Sequence, residues 1–107
     1  MSTSVIDGNV GALYAMSLTL NPASVATITA AEQDFTVPGV KANDIIVYFG
    51  MLTAAPGLGV SGYRVKAANT ISVTFVNPTI AAIDAAAGSY RLLIARIESD
   101  LVGGLPS

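Results

Sequence analysis

Hydrophobic and polar residues alternate along short stretches of the chain, a pattern that predicts β-strands. The clearest example is residues 70–76, where Ile71, Val73 and Phe75 alternate with hydroxyl-bearing side chains. Successive side chains of a strand point to opposite faces of the sheet, so a period of two indicates one buried face and one exposed face. We therefore predict a half-buried strand over these residues.

Two further stretches are mostly apolar. Residues 45–49, which follow Asp44, are β-branched or aromatic at every position. This composition favours a strand covered on both faces, either at the centre of a sheet or against a partner subunit. Residues 89–97 are similar, although their pattern alone leaves a helix open. Weaker strand patterns occupy residues 16–20, 25–29, 34–37 and 63–66.

Turn-forming residue pairs separate these stretches. They include Asn-Pro, Pro-Gly and Asn-Asp pairs and lie at residues 21–22, 38–39, 43–44, 56–57, 69–70, 77–78 and 88–89. Short strands with regular turns predict an all-β fold, namely an antiparallel β-sandwich or a jelly roll. At most one short helix is expected, over residues 79–87, with Thr79 as N-cap and Gly88 after the last turn. An irregular connection fits that segment equally well.

The length of 107 residues allows one domain of ordinary size. We expect an N-terminal arm and first strand over residues 1–20, the sandwich over residues 21–99, and a C-terminal tail over residues 100–107. Residues 1–4 carry no positive charge, so no secretory signal is expected.

Composition indicates that this domain needs a partner. Hydrophobic residues make up 52% of the chain and charged residues only 11%, where about 25% charged is usual. A domain of this size buries only about 60–70% of its surface, so part of the apolar material must face another protein or a membrane. The long uncharged stretches, residues 8–31 and 45–63, are interrupted by Asn, Pro and Gly. They do not form the run of about 20 apolar residues that a transmembrane helix needs, which leaves another protein.

The absent residue types exclude several function classes. The chain has no Cys and no His, which removes disulfides, thiolate or His-ligated metal sites and Ser/His/Asp triads. We expect no metal, no cofactor and no enzymatic activity. Five cations and a net charge of −2 give no basic patch for nucleic acid.

Three glycines, Gly57, Gly59 and Gly62, have the G-x-G-x-x-G spacing of a dinucleotide-binding loop. That loop needs a helix immediately after it, because the pyrophosphate binds the helix N-terminus. Residues 63–66 read instead as a strand, so nucleotide binding is not expected. We expect these glycines to supply positive φ angles or close backbone approach in a loop.

Two pairs of acids, Glu32 with Asp34 and Glu98 with Asp100, have the i, i+2 spacing that places both carboxylates on one face of a strand. Either pair could contribute to a calcium site or to acid/base chemistry. Solvated carboxylates at strand ends are the favoured interpretation.

Five stretches together carry a resemblance to a known group of proteins. They are FTVPGVKANDIIV at residues 35–47, GLGVSGYRV at 57–65, NTISVTFVNPT at 69–79, ID at 83–84 and SYRLLIAR at 89–96. Over about residues 24–97 the chain resembles small structural proteins of tailed bacteriophages. It is similar to capsid decoration (cement) proteins, which are β-sandwich or jelly-roll modules that commonly form trimers on the head, and to domains of phage fibres.

The resemblance implies a non-enzymatic virion protein. It would assemble in the bacterial cytoplasm as a homotrimer, bind the major capsid protein on the capsid surface and stabilise the head. The main alternative is a fibre or tail domain that binds a host receptor or glycan. A small carboxylate enzyme such as a glycan hydrolase is the third, and it would need two acids about 5–10 Å apart in a cleft.

Surplus hydrophobicity suggests which residues contact other subunits. Residues 5–20 form a candidate arm that could reach a neighbour. The candidates lie on the uncharged strand, in the loop after it and in the arm; they are Ile46, Tyr48, Met51, Leu52, Leu58, Leu18 and Leu20. Packing in the chain's own core is the alternative for each.

Overall fold

The structure is a computed structural model that describes residues 9–52, 55–85, 87–98 and 103–105. These residues contain six β-strands and no helix, which confirms the all-β fold predicted from the sequence. The strands are β1 (Val10–Leu20), β2 (Thr29–Thr36), β3 (Ile45–Met51), β4 (Gly59–Ala67), β5 (Thr70–Asn77) and β6 (Gly88–Ile97).

The strands form two antiparallel sheets of three. The first sheet has the order β1-β6-β3 and the second sheet has the order β2-β5-β4. Buried side chains from both sheets belong to one hydrophobic core, so the architecture is a β-sandwich. A jelly roll has eight strands, and the six described here do not confirm that alternative.

The core lies between the central strands β5 and β6. Ile71, Val73 and Phe75 of β5 are fully buried, as their alternation predicted, and Leu92 and Ile94 of β6 pack on the same core. The predicted exposed face of β5 was wrong, because Ser72 on the opposite face is also fully buried. Most of the free energy of folding comes from such apolar burial, so the two central strands hold the sheets together.

One aromatic residue links the sheets at their side. The ring of Phe49 in β3 stacks on that of Tyr90 in β6, with centroids 5.3 Å apart, and lies 6.3 Å from the ring of Tyr63 in β4. Aromatic pairs at these distances add stability beyond their buried area.

Strand β3 lies at the edge of the first sheet and not at its centre. Its Ile45 and Val47 are half exposed, while Ile46 packs against the core. The prediction of a central strand was therefore wrong, because apolar composition does not specify how many neighbours a strand has. The alternative, that this strand meets a partner subunit, stays a prediction.

Two weaker predictions also change. Residues 25–29 do not form a strand, because Val25 makes only an isolated bridge to Ile83 and β2 begins at Thr29. Over the described residues of segment 79–87 the chain is an irregular connection, the second of the two outcomes left open.

The first part of the chain belongs to the first sheet. Residues 10–20 form β1 and pair with β6 along that length, with one irregularity between Val10 and Ala12. This portion of the predicted arm is therefore paired with its own chain. Residues 1–8, and most of the predicted tail at residues 100–107, lie outside the described residues.

Candidate interaction surface

The outer face of the second sheet is polar, and its charges are paired. Arg64 on β4 donates two hydrogen bonds to the carboxylate of Glu32 on β2, at 3.0 and 3.1 Å. Lys66 on β4 contacts Asp34 on β2 at 2.6 Å, and the Ser72 hydroxyl of β5 also donates to Asp34. The three strands thus carry two ion pairs across one face.

These pairs hold both carboxyls as anions. The hydrogen bond from Arg64 lowers the pKa of Glu32, and the hydrogen bonds from Lys66 and Ser72 lower that of Asp34. Acid/base catalysis at neutral pH usually needs a carboxyl whose pKa is raised. The arrangement therefore fits a structural role on an exposed face. The sequence had favoured solvated carboxylates at strand ends, but Glu32 and Asp34 lie within β2 and are paired with cations.

The outer face of the first sheet has the opposite character. Antiparallel register places side chains in rows across its three strands. The first row is Leu13, Ala95 and Ile45, the second is Ala15, Leu93 and Tyr48, and the third is Ser17, Arg91 and Gly50. Arg91 is the only charged residue in these rows.

Several large apolar side chains on this face meet water. Leu13, Ile45, Val47 and Tyr48 have between 49% and 52% of their surface exposed, and none of them is packed against the core. Tyr48 lies across Gly50, since a Cβ atom at that glycine would overlap the tyrosine ring and hydroxyl. We call this surface the apolar face; it comprises Leu13, Ala15, Ile45, Val47, Tyr48 and Leu93.

The edges of the two sheets differ in the same way. Edge strands β2 and β4 carry Glu32, Asp34, Arg64 and Lys66, whereas edge strands β1 and β3 carry no charged residue. Charged side chains at a sheet edge hinder pairing with another chain, and uncharged edges permit it. Both the face and the edges of the first sheet are thus suited to contact with protein.

Loops at one end of the sandwich present a second apolar feature. Ile28 and Ile80 are 71% and 91% exposed. The carbonyl of Thr79 holds the two loops together, because it accepts hydrogen bonds from the Ile28 N–H at 3.2 Å and the Thr27 hydroxyl at 2.6 Å. Ile28 has a φ of +49°, a left-handed conformation that is unfavourable for a β-branched residue.

A shallow pocket of about 200 Å³ lies at one side of the core. It is lined by Tyr14, Met16, Pro38, Gly39, Val40, Asp44, Ile94 and Arg96. Asp44 is buried, and its two carboxylate oxygens accept hydrogen bonds from Arg96, at 2.9 and 2.7 Å, and from the Lys41 N–H. The Arg96 hydrogen bonds lower the pKa of Asp44 although burial raises it. The Arg96 guanidinium also lies 5.3 Å from the centre of the Tyr14 ring.

The predicted subunit-contact residues divide into two groups. Leu20 and Leu58 are buried, and Leu18, Ile46 and Met51 pack against the core, which is the alternative stated for each. Tyr48 and Leu52 are about half exposed and stay candidates for contact. Leu13, Ile45 and Val47 are also about half exposed; they lie within the predicted arm and the uncharged strand but were not among the named candidates.

The structural role predicted for the three glycines holds for one of them. Gly57 has a φ of +84°, as expected for a turn. The prediction was wrong for Gly59 and Gly62, which lie in β4 with no positive φ and with open space beside them. No helix follows. Within the described ranges, no group of three or more Asp or Glu residues is placed to hold a metal ion. Asp100, one member of the second acid pair, lies outside those ranges.

No family model, no curated protein and no solved structure matches the chain. The resemblance to phage structural proteins therefore stays a hypothesis. Among the residues described, none belongs to a helix long and apolar enough to cross a lipid bilayer.

Proposed function

We propose that this chain is a non-enzymatic structural protein of a tailed bacteriophage. It acts as a capsid decoration protein: it forms a homotrimer, binds the major capsid protein on the outer surface of the head and stabilises the shell. It is made in the host cytoplasm and works in the virion without a cofactor.

The contrast between the two sheets is the observation that carries this proposal. The second sheet pairs its charges and suits contact with water, whereas the first sheet exposes the apolar face and two uncharged edges. A contiguous apolar patch rimmed by polar residues is typical of a surface that binds protein, a membrane or a ligand; for a decoration protein it is the surface that binds protein. A binding module needs such a surface and needs no reactive side chain.

A decoration protein also needs a second surface, because it contacts its own copies and the shell. Exposed Ile28 and Ile80 at the end of the sandwich suit the contact with the shell. Since each head offers many equivalent positions, weak contacts of this kind add up through multivalency.

The glycan-binding alternative gains less support. A sugar site would offer free carboxylate and amide groups beside an aromatic ring. In the pocket beside Tyr14, both oxygens of Asp44 already accept hydrogen bonds, and most of the other lining is apolar. This favours a structural role for the Asp44–Arg96 pair.

Cryo-electron microscopy of the virion that contains this chain tests the proposal. We expect density for trimers of the sandwich on the outer surface of the head, with the loops of Ile28 and Ile80 directed to the shell. Density for the sandwich in the tail or fibres alone would contradict the decoration role and support the alternative.

A further inference from the structure

We infer that the apolar face of the first sheet is the surface through which copies of this chain bind one another. This inference deepens the proposed function and rests on the self-association that it includes. It assigns the contact to a defined set of side chains, of which Leu13, Ile45 and Tyr48 are the largest exposed members.

Charge favours a second copy as the occupant. The three rows of this face contain no carboxylate and one cation, Arg91, in the row farthest from Leu13 and Ile45. For a nucleic acid or an acidic peptide, this face offers only one positive charge. For a basic partner, it offers no carboxylate. In a trimer the apolar faces of three copies would meet around a three-fold axis. Each face is equally uncharged, so its burial would leave no carboxylate without a partner, and Arg91 could stay at the rim.

The exposed area can form the apolar centre of such a contact. Four large side chains at about half exposure offer roughly 400 Å² of apolar surface, which is about half of the ~800 Å² that each partner buries in a stable interface. Smaller side chains and the strand edges around them would supply the remainder. Removal of apolar surface from water is the dominant favourable contribution to such association.

The rest of the sandwich is less suited to contact between copies. On the second sheet, Glu32 and Asp34 already have cationic partners, and burial of those ion pairs would remove their hydration at a cost that their attraction seldom repays. The exposed side chains of Ile28 and Ile80 lie on loops at one end of the sandwich and not on a continuous sheet face. The apolar face is therefore the surface that a second copy would cover.

Charge placed in the middle of this face tests the inference. The double variant Leu13→Lys/Ile45→Lys puts two lysines in the row that flanks Ala95, and both side chains are half exposed in the chain. The matched control Ala30→Lys/Thr36→Lys adds the same charge at exposed positions of β2 on the second sheet. Light scattering on a size-exclusion column measures the mass of each protein, and circular dichroism checks the fold.

We expect the wild type and the control to have about three times the mass of one chain, which is 10.8 kDa, and the double variant to have the mass of one chain. If the double variant does not fold, Ile45→Thr keeps a β-branched residue at the position. It should raise the dissociation constant between copies at least about tenfold, since it removes apolar area from the contact.

Three results would overturn the inference, and they bear differently on the proposed function. If the wild type is an oligomer and the double variant has the same mass, copies bind through another surface, and the proposed function stands. A monomeric wild type that still decorates heads means that the apolar face has a different occupant. A monomeric wild type that is absent from heads contradicts the inference and the proposed function together.

Discussion

Ile28 adopts an unfavourable backbone conformation in an exposed loop. Its φ of +49° places a β-branched side chain in the left-handed region, and its side chain is 71% exposed. That conformation costs an L-residue about 1–2 kcal/mol, and little of the Ile28 side chain is buried to offset this cost. Contact of this side chain with another protein would explain why an isoleucine occupies the position.

The substitution Ile28→Asn is expected to stabilise the isolated protein by about 1 kcal/mol, because asparagine tolerates the left-handed conformation. Ile80→Asn is the matched control: Ile80 is also exposed but has no positive φ, so its change should stay within about 0.5 kcal/mol. Urea denaturation measures both. A loss of stability in Ile28→Asn would contradict the argument from strain.

The segment after β5 shows how one side chain decides the form of an element. Asn77 is fully buried; its amide donates to the carbonyls of Val25 and Ala81, at 3.0 and 2.8 Å, and its side-chain oxygen accepts from the Thr79 N–H and hydroxyl. Of these groups, the Ala81 carbonyl is one that a helix over residues 79–87 would use, because it would accept a hydrogen bond from the N–H four residues further on. Ile83 then pairs with Val25.

Asn77→Asp tests this role with almost no change in side-chain size. A carboxylate cannot donate to the two carbonyls and would be buried as a charge, so we expect a loss of about 3 kcal/mol or more in the free energy of unfolding. Asn21→Asp, at an exposed position, is the control. Chemical denaturation compares the two, and equal stabilities would show that the amide donors at position 77 are dispensable.

At the scale of the whole molecule, the free energy of unfolding should change with pH in the acidic range and not near neutral pH. The chain has no histidine, and the pKa values of Glu32, Asp34 and Asp44 are each lowered by a cationic partner. A carboxyl with a lowered pKa in the folded state stabilises the protein fully above its unfolded-state pKa. That contribution disappears as the pH falls through the folded-state pKa.

We therefore expect the free energy of unfolding to be nearly constant from pH 7 to about pH 5 and to fall below about pH 4. The free energy of unfolding of the Asp44→Asn variant should be about 2 kcal/mol lower than that of the wild type at pH 7, because Arg96 loses its anionic partner. On acidification, this free energy should fall less in the variant than in the wild type. Asp84→Asn, at an exposed position, is the control and should keep the wild-type slope. Urea denaturation at a series of pH values measures these slopes, and parallel curves for the wild type and Asp44→Asn would contradict the assignment.

The sequence by itself determined the all-β class and the clearest strand. Alternation within residues 70–76 predicted β5 because successive side chains of a strand point to opposite faces of the sheet, a property of the local backbone alone. The Pro38–Gly39 turn was equally readable, and Gly39 has the positive φ, +94°, that such a turn requires. The scarcity of charge was a property of composition and needed no coordinates.

Only the tertiary structure decided which strands are neighbours and which apolar residues are left exposed. Residues 45–49 read as doubly covered, yet β3 lies at an edge, and Ile46 and Tyr48 on the same strand have different environments. The pairing of Asp44 with Arg96, 52 positions apart, was equally invisible. Such choices depend on contacts between distant segments, whereas a local pattern records only the two faces of one strand.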